Sequence, residues 1–157
     1  MMITLTRCFE ERLLRRERPD IEKAKISLKV SENKLEKCKQ AMEKGLNEAA
    51  IIFAYSSMFH AARALLYKDG VIEKSHKCLV LYVQKIYAEK GILEQKLCNA
   101  LDELRTERHE KFYGLEIEDV PKEEVDRAYE NTKLFLQACK NIIKQEIENK
   151  LKRESKK

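Results

Sequence analysis

The stretch NEAAIIFAYSSMFHAARALLYK, from Asn47 to Lys68, holds neither glycine nor proline and is apolar on most of its faces. A helix with that pattern cannot lie along a surface and has to be enclosed by other elements, so it belongs in the middle of a bundle. The rest of the chain is suited to supply those elements. Only 4 Gly and 2 Pro occur in 157 residues, while Ala, Leu, Glu, Lys and Arg are abundant. Long helices are therefore favourable, and the turn chemistry needed for hairpins is scarce. The expected class is all-α. A chain of this length forms one domain and buries roughly two thirds of the surface its unfolded form exposes.

Punctuation marks place the helices. A short helix is expected over residues 3 to 17, ending before Arg18-Pro19 because proline disfavours helical geometry in the residue before it. Asp20 caps a second helix that runs to about Lys44 and stops at Gly45. Asn47 is the expected N-cap of the apolar helix, DGVIEKS is a loop, and Ser75 caps a fourth helix that closes at Gly91. A fifth begins near Leu93 and continues toward Gly114. GLEIEDVP is a second loop, and Pro121, Glu123 and Glu124 open the last helix, where proline needs no N–H and carboxylates suit the partial positive charge. Beyond Ile147 the chain is expected to fray. The expected organisation is a short N-terminal helical appendage (1 to 18), a bundle (19 to 147) and a basic tail (148 to 157).

The net charge of +5 comes from 32 basic and 27 acidic residues, so most charge is interleaved on solvated faces. Two runs are more one-sided: Arg7, Arg12, Arg15, Arg16 and Arg18 near the start, and Lys150, Lys152, Arg153, Lys156 and Lys157 at the end. Either can contribute to holding a phosphate backbone, and either is equally at home in a C-terminal helical turn or a frayed end. Cys8, Cys38, Cys78, Cys98 and Cys139 lie far apart without a Cys-x-x-Cys pair. They read as small buried apolar residues in a reducing compartment, and the odd count speaks against a full disulfide framework. No apolar run is read as a membrane helix, and the charged N-terminus does not resemble a secretory segment. The expected setting is cytoplasmic.

No phosphate loop, dinucleotide fingerprint, His-Glu-x-x-His or acidic calcium loop is present, so neither a metal nor a cofactor is expected. His60 precedes Arg63 by one helical turn on the apolar helix. The pair marks a polar seam or a satisfied core histidine beside a snorkelling arginine, because an unpartnered pair would be costly to bury. His76, next to a cap, reads as a loop-end histidine. In LRTERHEKFYG, Arg105 and His109 share a helical face, and Tyr113 returns beside Arg108 only if the helix unwinds near Gly114. Arginine forks suit phosphate oxygens and a neutral histidine takes protons near pH 7, which are the parts of metal-free RNA cleavage. A cationic helix end with Phe112 and Tyr113 as core plugs is the alternative.

Taken together, AYSSMFHAARALLYKDG, KSHKCLVLYVQKIYAEKGIL, RHEKFYG and PKEEVDRAYENTKLFLQACKNII resemble the HEPN domain family, over about residues 20 to 145 and in the family's order. The resemblance implies an up-and-down bundle of four to five main helices, here with a short N-terminal helix added, commonly a homodimer with its site near the dimer cleft. It also implies a toxin-like metal-independent ribonuclease paired with a minimal nucleotidyltransferase. The family signature is an arginine, a polar residue and, four positions on, a histidine. Arg108 and His109 match its start, and Tyr113 stands where the histidine is expected. Tyrosine ionises near pH 10 and is a poor base at neutrality, so His109 or His60 would have to serve. The resemblance thus implies Arg108, His109 and Tyr113 as catalytic candidates. His60, Arg63 and Arg105 are the substrate-binding candidates, for RNA or a nucleotide. The alternative is a non-catalytic nucleotide-binding or protein-docking module.

Overall fold

The computed structural model describes residues 2–113 and 119–156, the side chains of 108–113 excepted. The element order is α1 (Leu5–Glu10), β1 (Leu14–Arg16), α2 (Ile21–Glu43), α3 (Asn47–Asp69), β2 (Val71–Glu73), α4 (His76–Val83), α5 (Gln95–Tyr113) and α6 (Lys122–Ser155). This is an all-α, up-and-down bundle of main helices with a short N-terminal helix and one two-stranded ribbon.

α3 is the enclosed helix, packed by α2, α6, α5 and α4. Ala50, Ile51, Ala54, Tyr55, Met58, Phe59, Ala61, Ala62, Leu65 and Leu66 are all buried on it. By length and composition α3 could also cross a membrane, contrary to the expectation that no apolar run would; its most apolar window is 67% buried inside the bundle. Small residues let α2 approach closely. Ser31 Oγ donates to the Ser57 carbonyl at 2.6 Å, Ser57 Oγ returns a bond to the Ser31 carbonyl at 2.8 Å, and Ser27 Oγ donates to the His60 carbonyl at 2.7 Å. Partners that run backward on one helix as they run forward on the other define an antiparallel pair. The three hydroxyls satisfy their own buried donors, so the close approach leaves no polar debt.

Local chemistry explains most boundaries. The Asp20 carboxylate accepts from Lys23 N–H, and Ser75 Oγ accepts from Cys78 N–H, each capping a helix as expected. Asn47 is not a cap. It is the first residue of α3, and its Nδ2 donates to the Val120 carbonyl at 2.9 Å, joining α3 to the entry of α6. Gly70 ends α3 at φ 77°, and a Cβ there would stand 2.5 Å from the Glu17 carbonyl oxygen. Both the backbone angle and the crossing chain therefore require glycine.

The N-terminal stretch differs most from expectation. Instead of a helix over 3 to 17, a six-residue helix capped by Thr4 turns at Arg12, which has φ 59°, and continues as a strand. β1 pairs antiparallel with β2, with Leu14 opposite Glu73 and Arg16 opposite Val71, and Leu14 is buried. A short isolated helix is marginal, and pairing with β2 while inserting Leu14 satisfies more backbone and apolar surface. DGVIEKS is accordingly part ribbon. Cys8 and Cys78 form a disulfide that fastens α1 to α4, a correction to the reading of five separate thiols; Cys38, Cys98 and Cys139 remain free and buried. The pairing of Cys8 with Cys78 spans 70 residues of sequence, and no local pattern signals it.

α4 does not run regularly to Gly91, because Gln84–Ala88 form a π-helical turn. At the C-terminal end, α6 continues to Ser155 where fraying was expected. Glu, Lys, Arg and Leu are strong helix formers, and the pairs Gln145 with Asn149 and Arg153 with Glu146 reinforce that segment.

Candidate functional site

Phe59 on α3 is the centre of a polar and aromatic cluster. Its ring is met edge-on by His60 at 5.5 Å, stacked by His76 at 4.2 Å, and covered by the Arg63 guanidinium at 4.7 Å. One turn of α3 separates Phe59 from Arg63, while His76 arrives from the start of α4 after the Gly70 turn reverses the chain. Tyr55, one turn before Phe59, places its hydroxyl 2.7 Å from His76 Nδ1. Tyr55 is buried and His76 exposed, so the cluster reaches from the core to solvent.

Arg63 is held by Glu73 on β2: Nε donates to Oε1 at 2.8 Å, and Nη2 donates to the same oxygen. The Glu73 side chain is 5% exposed and that of Arg63 30% exposed, so the carboxylate is the buried member. Two of the five guanidinium N–H groups are thereby used, leaving donor capacity toward solvent. His60 is held below its ordinary pKa, first by burial and then by the positive charges of Arg63 and Lys34, with Glu73 opposing and His76 adding to the shift. It is therefore neutral at pH 7 and able to accept a proton.

The structure thus brings His60 and Arg63 together, as their spacing predicts, and adds His76, Tyr55 and Glu73, which sequence reasoning missed. His76 looked like a loop end because nothing in sequence reports that Gly70 folds α4 back onto α3. Glu73 lay in a presumed loop. Arg105 has a local role: its Nε donates to Asp102 Oδ1 at 3.0 Å on the same helix. Arg108, His109 and Tyr113 belong to the last turns of α5, and their side chains, like Gly114, lie outside the described residues.

A second polar group, built on two buried tyrosines, lies at the C-terminal end of α3. Asp69 Oδ2 accepts from Tyr82 at 2.9 Å and from Tyr87 at 2.7 Å, while Lys68 Nζ lies 2.7 Å from Oδ1. Residues five apart diverge on a regular α-helix, and the π-helical turn that ends α4 brings both hydroxyls to one oxygen. Burial and the Asp69 charge raise the pKa of both tyrosines. Among the described residues no group of three or more histidine, cysteine, aspartate or glutamate side chains could hold a metal ion.

A helical bundle whose apolar central helix carries a solvent-reaching histidine and arginine cluster is the architecture here, and known proteins share its sequence pattern. The HEPN domain model matches residues 21–142. The chain belongs to the HEPN domain family. It is 26% identical to a UPF0332 protein of Archaeoglobus fulgidus over 123 residues, 78% of this chain and 97% of that protein. A UPF0332 protein of Pyrococcus horikoshii is 28% identical over 87 residues, 55% of this chain and 61% of that protein.

Proposed function

We propose that this HEPN-family protein is a toxin-like effector acting on RNA, of the metal-independent endoribonuclease type or a weakened relative of it. It works as a homodimer in the cytoplasm, where full burial of Cys8 and Cys78 shields their bond from reductants, and is paired with a minimal nucleotidyltransferase. The observation that carries the reading is a neutral, half-buried His60 one turn from Arg63 and grouped with the exposed His76 around Phe59. Arg63 and Arg108 bind non-bridging oxygens of the scissile phosphate. His60 takes the proton of the ribose 2′-hydroxyl as its oxygen forms a bond to phosphorus. The bond from phosphorus to the 5′-oxygen breaks, and His76, which reaches solvent, relays the proton that the leaving oxygen needs. His109 is the second candidate base, and Tyr113 a contact to base or phosphate. Arg105 supports the same face of α5 through its bond to Asp102.

A binding module without turnover is the second reading, favoured by Glu73, which already engages Arg63 and weakens its pull on a phosphate. One assay separates the two. Purified protein is incubated with tRNA or mRNA in chelator, alongside Arg108→Ala and His60→Ala variants. Cleavage by the wild type that both variants lose supports the enzyme. Retained RNA binding with no cleavage by any form supports the module, and equal cleavage by all three forms removes the proposed roles.

A further inference from the structure

The arginine run near the start of the chain has no part in the cluster around Phe59, yet it lines a cavity of its own. Between α1 and β1 lies a space of about 560 Å³ walled by Arg12, Arg15 and Arg16, with Phe9, Thr6, Glu10 and Glu17. We infer that this cavity is a second ligand site, one that takes the phosphate group of a nucleotide, either free or at the end of an RNA strand.

Four observations support this inference. The Arg16 guanidinium lies 4.4 Å from the Phe9 ring centroid, so the ring fixes that fork before any ligand arrives. Arg15 reaches Glu17 only at 3.8 Å through Nη1, and its Nε is a buried side-chain polar atom without a hydrogen-bond partner. Among the described residues no other buried side-chain atom is left in that state. Buried donors are normally satisfied, and an exception calls for a specific cause, such as strain or a bound water or ion. Arg12 is the one non-glycine residue at positive φ among the described residues, at 59°. That left-handed turn ends α1, with Arg12 N–H donating to the Phe9 carbonyl and Leu13 N–H to the Cys8 carbonyl, and the chain it redirects carries Arg12, Arg15 and Arg16 onto one cavity.

Ligand chemistry follows from the donors. A tetrahedral phosphate presents acceptor oxygens in several directions and so can meet guanidinium forks arriving from different elements, whereas a carboxylate presents its oxygens in a single plane. The volume exceeds what a lone phosphate needs and falls in the range of sites for small organic molecules. Residues 6 to 17 also lie outside the matched family segment, which begins at residue 21. The site therefore does not depend on the RNA-cleavage reading and can be tested without turnover.

The test is equilibrium binding at fixed 0.15 M salt, a roughly physiological ionic strength. Calorimetry compares nucleoside 5′-monophosphates with the unphosphorylated nucleosides. Fluorescence anisotropy compares a 3′-labelled hexaribonucleotide bearing a 5′-phosphate with the same strand bearing a 5′-hydroxyl. Arg12→Gly removes one fork at a position whose backbone glycine prefers, so its melting temperature should equal or exceed that of the wild type. Arg15→Gln removes the orphaned donor group. Phosphate-dependent binding that weakens about tenfold or more in each variant supports the site. The free nucleotide or the strand is then the source, according to which binds more tightly. Binding that ignores the phosphate, no binding to any probe, or unchanged affinity in a folded Arg12→Gly protein overturns the inference.

Discussion

Arg63 on α3 and Glu73 on β2 meet through two N–H donors on one carboxylate oxygen, and this contact joins the central helix to the ribbon that the N-terminal strand completes. Glu73 is the buried partner, so the cost of separating the pair falls on whichever charge is left alone. Arg63→Ala is expected to destabilise the protein by about 2–3 kcal/mol, somewhat less than a fully buried pair because Arg63 is partly hydrated. Arg63→Met combined with Glu73→Leu should recover much of that loss. Urea unfolding of the single and double variants measures the coupling; strictly additive losses would show that the pair does not act as a unit.

The histidine at position 60 makes stability depend on pH. Its folded pKa is below the unfolded value, chiefly through burial, so its neutral form is the one the fold favours. The contribution is present above about pH 6.5 and is lost as pH falls toward the folded pKa, because the unfolded chain takes up the proton first. His60→Gln should remove that part of the acid sensitivity. Melting temperatures of both proteins at pH 8 and pH 5 check it: the gap between the two pH values should be smaller in the variant.

The bond between Cys8 and Cys78 closes a loop of 70 residues. On the chain-entropy account a loop of that size stabilises by about 4 kcal/mol relative to the reduced chain. Reduction, or Cys8→Ser, should lower the urea midpoint without unfolding the bundle, since α3 and its neighbours bury their own core. The remaining thiols should stay silent to alkylating reagents in the native protein. Burial raises Cys38 to about 12 and Cys98 to about 11, and Cys139 also titrates well above a free thiol. Rapid native labelling of those three would contradict the packing.

Asp69 receives two phenol hydroxyls, and charged hydrogen bonds of this kind contribute roughly 1.5–3 kcal/mol each. Tyr87→Phe is expected to cost an amount in that range, with Tyr82→Phe similar and the double variant less than the sum. Both phenols have raised pKa values, caused first by burial and then by Asp69. Their stabilisation is complete below about pH 10, where unfolded tyrosine ionises, and is lost above it. Absorbance titration of the native protein should show these two rings ionising above the usual phenol range.

Sequence alone determined the helical class, the enclosed status of the third helix, the caps at Asp20 and Ser75, and the shared face of His60 and Arg63. Those features depend on local propensity, capping chemistry and a period of 3.6 residues, all of which are written in neighbouring positions. Tertiary structure decided the rest. Leu13 to Arg16 could have extended a helix, but β2 offered backbone partners and a buried place for Leu14. Cys8 found Cys78, His76 came to rest on Phe59, and Tyr82 and Tyr87 converged on Asp69 only because the Gly70 turn and the π-helical turn set those elements side by side. Such pairings join residues remote in sequence, and a one-dimensional period carries no information about which remote side chain will stand opposite.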